Sequence, residues 1–543
     1  MPFNKPKPPV IDKTRKDNKN TKKQDKTLVK KNKGIRERKA SFLRMLPWIL
    51  LPLTPLLTVL SYPKFTHSWM AWICCAPFAY FILKTKTRKS AFIGSLVCGF
   101  LSYAGLLYWI YPTMRTGTVP VPFAILGLFL LCLLASVDFI AIGLFGFFVR
   151  RTGNGVFPLL FASAWACMEW IKVSINLKAV SFPWFILAYS QWQQPKFMQI
   201  VSFTGSYGLS WALAFTGALI GAVLASRDSF AKKLLNLVPG ALIIGGLWLF
   251  GQGMLSPEMQ PSDKQQTISV AILQPCIDQY AKWNSAHENY IKSKMYEMSE
   301  KSAGKDLVIW PENALPGWID DPQYGMYIDA IVKKFNSNHI VGSISRGDGK
   351  RVSAFLITPD GEESDYHKRI LVPFGEYVPM RRFLGKYIKA IGMLGEFTPG
   401  NLKQNFMQLE GIKIAPTICY ESIFPFLYSS DAERGADIFV NITNDGWYLD
   451  TSAPYQHLAA LMFRAAETHR PILRAANNGI SAVITPYGTI EKMLPLDQEG
   501  ILEAQVGVYI SQPPSVYARH GNVFAMLCLL ICSAFAVSIF FMR

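Results

Sequence analysis

The chain has 543 residues, half of them hydrophobic and only 17% charged, with a formal net charge of +19. The length admits about two or three domains, and so apolar a composition speaks against a purely soluble globular protein. The positive charge is concentrated in the first 45 residues, as in the Lys- and Arg-dense run from Lys22 to Lys39. A basic tail can bind nucleic acid, but this one has no aromatic or glycine pattern suited to base recognition. Placed just before a hydrophobic run, it reads as a cytoplasmic flank drawn to anionic lipid. Its composition predicts disorder, and no nucleic-acid partner is expected.

A helix needs roughly 20 apolar residues to cross a bilayer. Runs of that kind fall at 46–62, 69–84, 91–112, 122–148, 156–173, 198–225, 234–253 and 522–541. The first two are short and contain Pro47, Pro52, Pro55 and Pro77, so kinks or a partly re-entrant path are expected there. Basic residues follow the second run (Lys84, Lys86, Arg88, Lys89), the fourth (Arg150, Arg151) and the sixth (Arg227, Lys232, Lys233), and the loops between are poorer in them. Because positive loops stay in the cytoplasm, the N-terminus and Arg543 are expected inside and 254–521 outside, which in a bacterium is the periplasm. No small-residue cleavage site follows the first run, which argues against a signal peptide.

The stretch 254–521 alternates short Val/Ile-rich strands with helices. Strand-like runs are Thr267–Leu273, Leu307–Trp310, His339–Ile344, Ala354–Thr358, Ile412–Ile418, Ile438–Ile442 and Ile480–Thr485; Gln323–Asn336 and Tyr455–His469 read as helices. The pattern predicts a layered α/β domain. The expected organisation is a basic tail (1–45), a membrane domain of about seven helices (46–253), an outer catalytic domain (254–521) and a last transmembrane helix (522–543).

Of nine cysteines, seven lie in apolar runs, where Cys behaves as a small hydrophobe. Cys276 and Cys419 fall in the outer stretch, where an oxidising compartment would allow a disulfide between them. No Cys/His grouping has metal-ligand spacing, so no metal is expected.

Three short motifs carry chemistry. Glu312 ends the apolar run Asp306-Leu-Val-Ile-Trp-Pro-Glu312, Lys368 ends Tyr366-His-Lys368, and Cys419 ends Ile414-Ala-Pro-Thr-Ile-Cys419, with Tyr420 and Glu421 following. A sharp strand-to-helix turn at Cys419 would expose its sulfur and aim backbone N–H groups at a developing oxyanion. Glu312, with Trp310 and Pro311 limiting its hydration, suits a base with a raised pKa. Lys368 suits stabilisation of the tetrahedral intermediate. Taken singly, the three are a core thiol, a capping acid and a solvated hairpin lysine; together, each at the end of a strand-like run, they favour thioester chemistry.

Residues 267–510 thus resemble the carbon–nitrogen hydrolase (nitrilase) superfamily, with its αββα sandwich and Glu-Lys-Cys triad. The whole chain resembles the bacterial apolipoprotein N-acyltransferases, through Trp310-Pro-Glu-Asn-Ala-Leu-Pro316, Tyr366-His-Lys-Arg-Ile-Leu-Val-Pro-Phe-Gly-Glu-Tyr-Val-Pro379, Asn441-Ile-Thr-Asn-Asp-Gly-Trp447 and Tyr517-Ala-Arg-His-Gly-Asn522. In the membrane part Glu169-Trp170, Phe182-Pro-Trp184 and Tyr189-Ser-Gln191 also fit. The resemblance implies that Cys419 attacks an ester of a membrane phospholipid, that Glu312 takes the thiol proton, and that Lys368 and the Tyr420 N–H hold the oxyanion. A thioester on Cys419 then passes to the N-terminal amine of a diacylglyceryl-cysteine apolipoprotein, with no cofactor. The resemblance also implies supporting roles for Glu376, Tyr420 and Glu421, and substrate contacts for Trp283, Trp447 and Tyr377. It further implies a mobile apolar arm built from Tyr377–Met380 and Tyr387–Phe397. Cys276 and Ser181 depart from the family pattern, which has Asn and Gly there. A membrane-anchored amidase, in which water resolves the acyl-enzyme, and an inactive receptor for lipid-anchored proteins are the competing readings.

Overall fold

The computed structural model describes residues 4–5, 41–42, 44–153, 155–175, 182–256, 265–347, 349–379 and 396–541. The basic tail and most of the expected apolar arm therefore lie outside the described residues, as does Ser181.

Among the described residues, six helical stretches are long and apolar enough to cross a bilayer: Arg44–Ser61, Arg88–Leu106, Val121–Val149, Val156–Ile175, Ser206–Ala225 and Phe230–Met254. Ser68–Lys84 and Val523–Ser538 are shorter apolar helices. All eight expected runs are thus largely helical, with breaks inside several of them. The first is interrupted at Leu51–Pro52, as its prolines predict, because Pro52 cannot supply the donor that a continuous helix needs. The sixth starts at Ser206, not 198, because Gly205 takes φ +65° and ends the short helix Val201–Thr204. The buried charges among these helices have partners: Lys172 Nζ lies 3.1 Å from Asp138, and one Glu169 oxygen accepts from the Trp165 indole (3.0 Å) and the Leu187 N–H (2.8 Å). Unpaired charge in that setting is costly.

Beyond the helices stand two six-stranded sheets, β12-β1-β2-β3-β4-β5 and β11-β10-β9-β8-β7-β6. The first is made of β1 (Gln265–Gln274), β2 (Leu307–Ile309), β3 (Asn338–Ser345), β4 (Arg351–Ile357), β5 (Glu363–His367) and β12 (Gly500–Tyr509). The second is made of β6 (Met407–Leu409), β7 (Ile412–Ile418), β8 (Ile438–Thr443), β9 (Ile472–Ala476), β10 (Ser481–Ile484) and β11 (Ile490–Leu494). In each, three central strands run parallel (β1-β2-β3 and β7-β8-β9) and the flanking strands antiparallel.

Strand alternation sorts side chains into layers. Ile268, Val270 and Ile272 of β1 meet Ile414, Ile418, Val440 and Ile442 between the sheets. Ala271 and Leu273 point the other way, onto Ile291 and Met295 of helix Glu288–Lys301 and Ile328 and Ile331 of helix Pro322–Phe335. On the far face of the second sheet, Phe439, Ile472 and Ala482 pack under helices Pro425–Glu433 and Ala453–Thr468. This is the αββα sandwich expected. The last layer belongs to the same continuous core as the membrane helices, which include Phe161, Trp165 and Leu213.

Polar contacts fix the two regions against each other. The Glu467 carboxylate, paired with Arg464 at 2.9 Å, accepts from the N–H (2.9 Å) and hydroxyl (2.6 Å) of Ser206 at the start of a membrane-region helix. A carboxylate there meets unsatisfied N–H groups and the positive end of the helix dipole.

Candidate active site

The parallel strands of both sheets end on the same side, and the chemistry-bearing residues follow those ends. Glu312 comes three residues after β2, Cys419 directly after β7, and Asn444 and Asp445 directly after β8. Lys368 follows β5, where its N–H still pairs with the Val352 carbonyl (2.8 Å). All three residues of the predicted triad are buried, with exposures of 5% for Glu312, 1% for Lys368 and 7% for Cys419. Lys368 is therefore no solvated hairpin lysine.

Cys419 takes φ +51°, a conformation that costs energy for any residue with a Cβ, and opens the short helix Cys419–Ile423. The sharp turn expected from the sequence is present. Cys276 and Cys419 are both free thiols, so no disulfide joins them.

Lys368 Nζ lies 2.6 Å from Glu376 and 3.6 Å from Glu312. The second Glu376 oxygen accepts from the Val372 N–H (2.8 Å), which fixes that carboxylate behind the lysine. The second Glu312 oxygen accepts from the Asn444 N–H (2.9 Å). Burial raises the Glu312 pKa, Glu376 adds to the rise, and Lys368, Lys282 and the Asn444 N–H oppose it. Burial also disfavours charge on Lys368, but Glu376 and Glu312 outweigh it and hold its pKa above the ordinary lysine range. Burial and then Glu312 push the Cys419 thiol well up, against the pull of Lys368. The resting group is therefore a neutral thiol, and forming the thiolate requires a base.

Glu421 is fully buried and ties two loops together. It reaches back to the Ile418 N–H (2.6 Å) and accepts from the Arg369 N–H (2.6 Å), the Ile370 N–H (3.2 Å) and the Tyr366 hydroxyl (2.8 Å). The lysine loop is thereby bonded to the cysteine turn. Trp310, expected to shield Glu312, instead joins the helix-facing core, because β2 alternation turns it away from the gap between the sheets. Tyr377 pairs its segment with Pro373. Trp447 lies on the short helix Asp445–Tyr448 and is 39% exposed. Trp283 ends the short helix Ala281–Trp283, and its side chain lies outside the described residues.

Sequence reasoning missed one group outright and, for a second, saw the Phe182-Pro-Trp184 motif but not where it packs. One is a buried polar cluster under the cysteine: His457 spans from the Asp445 carboxylate (Nδ1, 3.0 Å) to the Cys419 carbonyl (Nε2, 3.0 Å), and Arg474 pairs with Asp445 at 2.6 Å. Burial disfavours charge on Asp445, yet Arg474 and His457 hold its pKa below the usual carboxylate range. The visible signal was the polar Asp445 inside a quoted motif; nothing pointed to His457 on its helix. The other is an aromatic roof contributed by the membrane region. Phe182 and Trp184 stack with each other (5.6 Å) and lie near-parallel to the Tyr420 ring (6.0 and 6.3 Å). Trp109 packs on Trp184 and Tyr448, and Gln456 accepts from both indoles, Trp109 at 3.2 Å and Trp184 at 2.8 Å.

Two sheets back to back between helices, with Glu, Lys and Cys at one end, define the carbon–nitrogen hydrolase class of fold. Residues 269–511 match the carbon-nitrogen hydrolase family, and residues 55–219 match the apolipoprotein N-acyltransferase N-terminal domain. An apolipoprotein N-acyltransferase of Geobacter metallireducens is 32% identical over 89% of this chain and 93% of its own length. One of Rickettsia typhi is 31% identical over 83% of this chain and 90% of its own. Among solved structures, a CN-hydrolase superfamily protein from Xanthomonas campestris is 20% identical, covers 44% of this chain and 91% of that one, and gives a TM-score of 0.36. The chain belongs to the apolipoprotein N-acyltransferase family.

Proposed function

We propose that the chain moves an acyl chain from a membrane phospholipid to the N-terminal amine of a diacylglyceryl-cysteine apolipoprotein, through a thioester on Cys419. Glu312 takes the thiol proton as sulfur attacks the ester carbonyl. Lys368, with the Tyr420 N–H, holds the oxyanion. The tetrahedral intermediate expels a lysophospholipid, which leaves with the proton from Glu312. The α-amine then attacks the thioester, Glu312 receives its proton, and the amide forms as the thiol is restored. Glu376 positions Lys368, and Glu421 holds the lysine loop to the cysteine turn. Trp283, Trp447 and Tyr377 are assigned to the substrate entrance.

One observation carries this reading: the ring beside Cys419 is roofed by Phe182 and Trp184, which come from the membrane region. A soluble amide substrate gives no reason for such a roof, whereas a lipid acyl chain needs an apolar path and a site from which water is kept. The family relatives carry the same activity in their names. The chain is read as a multi-pass protein of the bacterial inner membrane with its two sheets in the periplasm, on the distribution of basic loops.

The test is mass spectrometry of the purified chain after exposure to phospholipid alone, followed by a diacylated peptide. An acyl adduct on Cys419 that passes to the peptide is the expected result. Transfer only when both substrates are present, with no adduct, overturns the two-step scheme; released fatty acid with no transfer favours the amidase-like alternative.

A further inference from the structure

Behind Glu312 lies a cation that the scheme above does not use. Lys282 is wholly buried, on the short helix Ala281–Trp283 that follows β1. Its Nζ donates to the Glu312 backbone carbonyl at 3.2 Å, and among the described residues it forms no ion pair within 4 Å. The loop that delivers it is well fixed. The Asp278 side chain accepts from the Tyr280 and Ala281 N–H groups, the Lys282 N–H bonds to the Asp278 carbonyl (3.0 Å), and the Tyr280 hydroxyl donates to the Thr116 carbonyl of the membrane region (2.8 Å). A lysine held without a carboxylate in such a place is costly, and the nearby charges say what offsets it. Glu312 and Glu376 share one ammonium, Lys368, at 3.6 and 2.6 Å. Two carboxylates and one ammonium leave the pocket with a surplus negative charge; Lys282 brings the sum to zero.

We propose that Lys282 is a positioning residue of the acyl-transfer site, whose ammonium keeps Glu312 ionised and so available as a base beside the Glu376 carboxylate. The inference rests on the acyl-enzyme reading of Cys419. Burial lowers the Lys282 pKa to about 8, against the pull of Glu312, so the side chain is still largely cationic at neutral pH. The charged and titratable groups acting on Glu312 are Lys368 from the end of β5, Glu376 behind that lysine, and Lys282 from the loop after β1. Cys419 and Tyr448 both feel the Glu312 charge in return, and the Asn444 N–H donates to it. Removing Lys282 leaves Lys368 as the only cation among these, and Glu312 then holds its proton to higher pH.

The experiment compares the full-length chain with Lys282→Gln, which keeps a donor for the Glu312 carbonyl without the charge, Lys282→Met, which keeps neither, and Lys282→Arg, which keeps the charge. The readout is the rate of lysophospholipid release from phospholipid alone, as a function of pH. In the Gln and Met variants the acid limb should move up by about one pH unit, the lower end of the effect of one neighbouring charge. That is a loss of about tenfold at a fixed pH on the limb, recovered at higher pH. Lys282→Arg should keep the limb near its original place. A uniform loss at every pH in the Gln variant, or an unmoved limb, overturns the proposal. The rate of Cys419 alkylation, located by peptide mass spectrometry, shares the same limb because Glu312 must accept the thiol proton. Were the wild-type chain to form no adduct from phospholipid, the acyl-transfer reading would fall. The alkylation profile of the Gln variant would then decide the role of Lys282, a shifted limb upholding it and an unshifted one ending it.

Discussion

At the scale of single residues, the site is a chain of charges that all depend on burial. Glu312 has its pKa raised by burial, so it accepts a proton more readily than a solvated carboxylate, and the thiol of Cys419 is neutral until it does. The sign follows: the unprotonated base is the active form, so acylation should rise with pH through the Glu312 pKa, above the ordinary carboxylate range. Glu312→Gln removes the proposed base and Lys368→Met the proposed donor to the oxyanion, a loss that typically costs ~10²–10³ in rate. Both variants should bind to membranes as the wild type does and lose acyl-enzyme formation by at least that factor in a single-turnover assay. Near-normal turnover in either would remove that residue from the mechanism. Much of this scale was legible in advance. Glu312 and Cys419 each end a run of apolar strand residues, and Lys368 ends a strand-like run inside a specific motif. His457 and Gln456 were not legible, because each lies within a helical run and only tertiary packing sets one against the Cys419 carbonyl and the other between Trp109 and Trp184.

At the scale of elements, parallel strands in two sheets bring their ends to one place, and the loops after them carry the chemistry. The approach of β3 to the Glu312 loop is close. A Cβ at Gly342 would stand 2.4 Å from the Pro311 carbonyl oxygen and 2.7 Å from Glu312 Cα, both backbone atoms that cannot swing aside. Gly342→Ala should therefore displace Glu312 by a fraction of an ångström or more. Overpacking of this kind costs about 1–3 kcal/mol in stability, and a 1 Å shift of a reacting group costs about 10²-fold in rate. The expected outcome is a protein that still folds, with a modestly lowered melting temperature and acylation reduced by one to two orders of magnitude by that same measure. Wild-type acylation in this variant would mean that the contact is relaxed elsewhere. β1 to β4, β7, β8 and β10 could be read because their alternate apolar residues fill the gap between sheets. β5, β6, β9, β11 and β12 could not, because polar or charged residues interrupt them: Glu363 and Asp365 in β5, Gln408 in β6, Arg474 in β9, Glu491 and Lys492 in β11, and Glu503 in β12. The break at Pro52 was legible from the prolines of the first run, whereas the one at Gly205 was not, because hydropathy averages across it.

At the scale of the whole molecule, the second sheet and the membrane-region helices share one core, so the candidate site and those helices are parts of a single packed body. If the basic loops face the cytoplasm, a reporter active only in the periplasm should work when fused within 254–521 and fail when fused after Arg227; the opposite pattern would invert the proposed topology. The aromatic roof on the Tyr420 ring, next to Cys419, gives the last prediction. A thioester held between two half-reactions must survive in the presence of water, and amine attack wins only if water is kept away. Trp184 is 4% exposed, lies near-parallel to the Tyr420 ring, and is fixed by its hydrogen bond to Gln456. Trp184→Ala would open a large gap in that roof, and removal of a buried Trp side chain costs about 3–5 kcal/mol in stability. Trp184→Phe, which keeps a ring but loses the bond to Gln456, is the milder companion. Neither residue touches the proton path through Glu312, so the first half-reaction should continue in the folded fraction. The partition of the acyl-enzyme should change, with the ratio of free fatty acid to acylated peptide rising well above wild type in the Ala variant and less in the Phe variant. Labelled phospholipid with a limiting amount of diacylated peptide measures both products in one reaction. An unchanged ratio in Trp184→Ala, with normal lysophospholipid release, would show that the roof does not protect the thioester and that water is excluded by other groups.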